Sequence, residues 1–159
     1  MSSTRVTPSG QLARSLAKYA PDVQAVGRAA LANMRRRLPG AIEFVYDNYN
    51  ALVIGFGPTE RPSDAILSIA LYPRWVNICF LRDGPSLDDP QRLLRGAGRI
   101  VRTLRLDSAA VLDRPAVQTI VAQAIARADP PVPGRQRRKT IVKAVSARQR
   151  PRRARRAGA

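Results

Sequence analysis

The chain has 159 residues, 45% of them hydrophobic, which suits one compact domain with appendages. It carries 28 Lys and Arg against 11 Asp and Glu, a formal charge of +17, with no His and a single Cys. These counts exclude an intrachain disulfide, remove the usual base for a Ser or Cys nucleophile and leave no recognisable metal-ligand spacing. No apolar run approaches the roughly 18 residues of a membrane span and residues 1–10 lack the apolar core of a signal peptide, so a cytoplasmic location is expected.

Residues 1–21 read as a flexible or short helical lead in which Leu12 and Leu16 share a face. Residues 22–38 have a helical period, with Val23, Val26, Ala30, Met34 and Leu38 at spacings of three and four. Pro21-Asp22 starts that helix and Pro39-Gly40 stops it, while Arg35, Arg36 and Arg37 complement the negative end of its dipole. Residues 42–46 and 51–56 look like a first strand pair, joined by Asp47-Asn48-Tyr49-Asn50, whose Asx residues favour tight turns. Gly55 and Gly57 then open a loop, which has neither the Lys-Ser/Thr ending nor the following helix of a phosphate loop.

The rest is organised around residues 65–82, two alternating runs folded back at Pro73-Arg74. A two-residue turn there pairs Leu67 with Phe80, Ile69 with Ile78 and Leu71 with Val76 on one apolar face. The opposite face then carries Ser68 with Cys79, Ala70 with Asn77, and Tyr72 with Trp75. Residues 83–90 are turn-rich, and 91–97 suit a short helix. Arg92, Arg95, Arg99 and Arg102 would form a basic stripe on a longer helix. Gly96, Gly98 and the alternation of residues 99–106 favour a fifth strand instead. Asp113 is the expected N-cap of a last helix, whose apolar stripe is Val117, Ile120, Val121, Ala124, Ile125 and Ala128. The expected fold is α+β, an antiparallel sheet of about five strands with helices packed on one face, over residues 22–129.

Residues 130–159 are expected to be a disordered basic tail, with 140–145 the one run able to add an edge strand. All 11 acidic residues precede it, so it alone concentrates positive charge. Arg135, Arg137, Arg138, Lys139, Lys143, Arg148, Arg150, Arg152, Arg153, Arg155 and Arg156 are its candidate polyanion-binding residues. They would release counterions from phosphates without reading sequence, since no aromatic accompanies them.

The order of Leu38-Pro39-Gly40-Ala41, Glu43-Phe44-Val45-Tyr46, Ala70-Leu71-Tyr72-Pro73 and Leu112-Asp113-Arg114-Pro115 resembles the YdhG-like family of bacterial domains of unknown function. The resemblance covers residues 23–128, and 141–153 resembles an ending found on some relatives. It implies an α+β domain with helices on one side of an antiparallel sheet, and no particular activity. One branch is described as a frataxin-like, intracellular iron chaperone, from which this chain departs in lacking His and clustered acidic residues.

Two candidate sites follow. Tyr46, Asp47, Tyr72, Trp75, Asn77 and Cys79 mark the outer sheet face as a place for a small ligand, a protein partner or a second copy of the chain. The tail adds nonspecific nucleic-acid affinity. A non-enzymatic binding module without cofactor, metal or catalytic residues is expected, with an iron-chaperone-like role as the alternative.

Overall fold

The computed structural model describes residues 5–154. Helix α1, Pro8–Ala17, begins at Thr7, whose hydroxyl accepts the Gly10 amide at 3.0 Å, with Pro8 in its first turn. Helix α2, Pro21–Arg37, buries Val23, Gly27, Ala30, Leu31 and Met34, and its last turn holds the three arginines. Gly27 lets α2 lie close against Leu71 of the sheet: a Cβ there would lie 2.5 Å from Leu71 Cδ2. The expected short lead is thus a complete helix, because Leu12, Ser15 and Leu16 supply a buried stripe that docks beside α2.

Strands β1 (Ile42–Asp47), β2 (Leu52–Gly57), β3 (Leu67–Leu71), β4 (Val76–Phe80) and β5 (Arg102–Leu106) form successive antiparallel neighbours. The β3–β4 register is the one the sequence predicts, including Leu67 opposite Phe80 and Leu71 opposite Val76. Helix α3, Pro115–Ala126, closes the core with Val117, Ile120, Val121 and Ala124. A sixth strand, β6 (Lys139–Val145), runs parallel to β1, giving the order β5-β4-β3-β2-β1-β6. The sheet is therefore six-stranded and mixed, not a purely antiparallel sheet of five.

The inner face, from Val45 through Ile54, Ile69 and Ile78 to Leu104, packs with the three helices into one hydrophobic cluster. Residues 130–138 cross the end of β1 against Gly40, where a Cβ would overlap the Pro133 carbonyl oxygen. This crossing delivers β6 to the sheet edge, so the expectation of a tail without structure does not hold for 139–154. Lys143 sits where the β1–β6 register slips by one residue and is exposed, as is Lys139, a charged, irregular edge that discourages further strand pairing.

Two local expectations are corrected. Residues 91–97 form turns and one bridge, Arg95 to Thr103, instead of a helix: Asp89 draws in the amides of Leu93 and Leu94 at 2.8 and 2.9 Å, and Gly96 adopts φ +125. No basic helical stripe therefore forms. Asp113 does not cap α3, because it closes a 3₁₀ turn, Ala109–Asp113, and Arg114 takes the cap position without a side-chain bond.

Tyr19 joins the helical layer to the sheet. Fully buried, its hydroxyl donates to the Leu71 carbonyl at 2.8 Å and accepts the Leu52 amide at 3.0 Å, bridging the paired ends of β2 and β3. Tyr19→Phe leaves a buried donor and acceptor unmatched, so it should lower stability by about 1–3 kcal/mol in denaturant unfolding without changing the secondary structure seen by circular dichroism.

Candidate functional site

Alternation along β1 turns Phe44 and Tyr46 outward and Glu43, Val45 and Asp47 inward. Both inward carboxylates are buried. Glu43 receives two bonds from the Arg35 guanidinium, Nε and Nη2 each at 2.8 Å, another from Thr140 Oγ1 at 3.1 Å, and an ion pair with Arg138 at 3.6 Å. Asp47 receives Ser15 Oγ at 2.6 Å, Lys18 Nζ at 2.9 Å and Arg152 Nη2 at 2.8 Å. Arg152, only 5% exposed, also donates to the carbonyls of Asn48 and Tyr49, and its Cζ lies 5.8 Å from the Tyr19 ring centroid. The Ser146 amide and Gln149 Nε2 bond the Asp47 carbonyl at 2.8 and 3.1 Å. Each carboxylate thus ties the helical layer to the C-terminal arm.

Asp47, expected beside a ligand, is therefore turned away from the outer face and committed to its three donors. Arg152, expected to meet polyanions, is consumed by the same contact. Burial pushes the Asp47 pKa up, but the bonds from Ser15, Lys18 and Arg152, with the Lys18 charge, outweigh it and hold the carboxyl below its ordinary value. Sequence reasoning missed Glu43, Ser15 and Lys18. Its available signal was two acidic residues four apart on a strand, on the side of Val45, where a carboxylate requires cationic partners.

On the outer face, Tyr72 and Trp75 stack with centroids 5.2 Å apart and planes at 24°. Arg105 from β5 lies 5.1 Å from the Trp75 ring centroid, so Trp75 stands between Tyr72 and a guanidinium. Asn77 and Cys79 follow on the same face of β4, opposite Ala70 and Ser68. Tyr46 shares that face but is separated from Asn77 by Val53 and Ala70, about 14 Å at ordinary strand spacing. Burial pushes the Cys79 thiol up, with a Ser68 hydrogen bond offsetting part of the effect, so it stays protonated at neutral pH and is no ready nucleophile.

An open groove of about 780 Å³ begins at the aromatic pair. Asn50, Tyr72, Pro73, Arg74 and Trp75 form one wall, and Arg150, Pro151, Arg153 and Ala154 of the arm form the other. Tyr46, Asp47, Asn77 and Cys79 lie outside it. The groove thus unites Tyr72 and Trp75 with two tail arginines that the sequence treats as separate features. Among the described residues, Arg74, Arg150 and Arg153 pair with no carboxylate.

Elsewhere on the arm, Arg135, Arg137, Lys143 and Arg148 are exposed, Arg138 leans on Glu43, and Lys139 meets Glu60 at 2.7 Å. Arg155 and Arg156 lie outside the described residues. Among those residues no three His, Cys, Asp or Glu side chains gather as a metal site, and no helix is long and apolar enough to cross a membrane.

Asp47→Ala leaves Arg152 charged and buried without its carboxylate, at a cost on the order of 3–5 kcal/mol. The variant should release the arm, seen as faster trypsin cleavage within residues 135–153. Because the native Asp47 pKa is lowered, its contribution is present above the unfolded value of about 3.9 and is lost as pH falls through the native one. An acid titration of the wild type should therefore lose stability below about pH 4, in a step that Asp47→Ala lacks. Comparison of the chain with protein-family models, curated proteins and solved structures gave no match.

Proposed function

We propose that this protein is a non-enzymatic nucleic-acid-binding module, a YdhG-like α+β domain that offers its positive charge on a docked C-terminal arm. The observation that carries this reading is the pinning of the arm. Arg152 is spent on Asp47, while Arg135, Arg137, Lys143, Arg148, Arg150 and Arg153 stay exposed around it. No acidic residue follows Asp129 to neutralise them.

A fixed arm loses less conformational freedom on binding than a disordered one and gives the charge a shape. Its contacts are with phosphates, so affinity falls steeply with salt and depends little on sequence. The outer-face aromatics contribute the apolar part of the surface. The hydroxyls that meet carboxylates at the buried clusters, Ser15 on Asp47 and Thr140 on Glu43, face groups already held by cations, and burial pushes the Cys79 thiol up, away from the thiolate. The iron-chaperone-like alternative finds no three-residue ligand set among the described residues.

The test is binding of labelled duplex and single-stranded oligonucleotides to the full chain across a salt series. Replacing Arg135, Arg137, Lys143 and Arg148 together with Gln leaves the Asp47 and Glu43 contacts in place. It should flatten the slope of log affinity against log salt by roughly 0.9 for each duplex phosphate that is no longer neutralised, or roughly 0.7 on a single strand. An unchanged slope with unchanged affinity excludes these four residues as the phosphate-binding surface.

A further inference from the structure

From the groove between the Tyr72–Trp75 pair and the arm, we infer that the nucleic acid held here is single-stranded, with an unpaired base packed on the aromatic pair and its phosphates on Arg74, Arg150 and Arg153. This rests on the nucleic-acid reading above and deepens it by naming the strand state.

With Trp75 standing between Tyr72 and Arg105, the pair offers a base the outer face of Tyr72. That flat apolar surface, backed by Trp75, accepts the face of any base, and a base inside a duplex has no free face to give. Three arginines that pair with no carboxylate among the described residues ask for an anion, and they line the same hollow as the rings. Asn50, exposed at the β1–β2 turn, adds an amide able to bond a base edge.

The arginines are presented rather than loose. The Arg150 amide bonds the Tyr49 carbonyl at 2.8 Å, and Arg153 spends Nε on the Lys18 carbonyl at 3.3 Å, leaving its terminal nitrogens for a ligand. Arg105, ion-paired with Asp107 at 3.4 Å, covers the side of Trp75 toward β5 and is not one of these anion-seeking cations. A simple polyanion uses only half of this surface. Alternating bases and phosphates use both halves.

Trp75 is the only tryptophan in the chain, so its emission reports on the groove directly. The experiment titrates the full chain at low salt with single-stranded ribo- and deoxyribo-oligonucleotides of about 12 nucleotides, with the matching duplex, and with inorganic polyphosphate of similar charge. Single strands should quench Trp75 and polyphosphate should not. Trp75→Leu and Tyr72→Leu should each weaken single-strand affinity about 10- to 100-fold, with duplex and polyphosphate affinities held within about twofold. Trp75→Phe should recover most of the loss.

Single-strand binding that leaves Trp75 emission unchanged and matches polyphosphate in affinity overturns the groove assignment while the arm remains a polyanion surface. Failure of the wild type to bind any of the probes overturns both. The quenching arm needs no variant, so a Trp75 substitution that fails to fold does not remove the test.

Discussion

The structure depends on the burial of two carboxylates on one face of one strand. Glu43 and Asp47 sit on the inner side of β1, where the neighbouring position, Val45, belongs to the hydrophobic core. A charge there is tolerated only with cations and hydrogen-bond donors around it. The chain supplies them from two directions. Ser15, Lys18 and Arg35 come from the helical layer, and Arg138, Thr140 and Arg152 from the C-terminal arm. The same two side chains therefore fix helix placement and hold β6 at the sheet edge.

That constraint converts a basic tail into a surface. A parallel edge strand reached by a long crossing has little intrinsic claim on its position, since Thr140, Ile141 and Val142 are only partly buried. Specific pairing at both ends of β1 sets its register: Thr140 and Arg138 meet Glu43 at one end, and Arg152 meets Asp47 at the other. Once the arm is fixed, its unneutralised arginines lie beside the hairpin that carries Tyr72 and Trp75. Two sequence features more than fifty residues apart thus become one groove.

The antiparallel part of the fold was legible because its signals are local. The β3–β4 register follows from one turn and one apolar alternation, α2 from its Pro start and periodic stripe, and α3 from its periodic stripe. The sixth strand was not, since an Ile-Val run in an Arg-rich tail does not reveal which edge it joins or in which direction. Composition favoured disorder, and tertiary ion pairing overrode it. At the candidate site, the stacking of Tyr72 with Trp75 followed from the hairpin register. Asp47 was misread because adjacency to a turn and to Tyr46 outweighed strand parity, which sends the two side chains to opposite faces. Arg152 could not be told from its neighbouring arginines without knowing what lay beneath it.

The central claim is that the arm is part of the fold, and amide hydrogen exchange of the wild-type chain at neutral pH tests it most directly. In Lys139–Val145 the amides that face β1 should be protected well above those on the open edge and those of residues 134–137, and the Ser146 amide, bonded to the Asp47 carbonyl, should share that protection. Uniformly fast exchange across 139–146, with the antiparallel strands still protected, would contradict the account, because the carboxylates of β1 would then not be holding the arm.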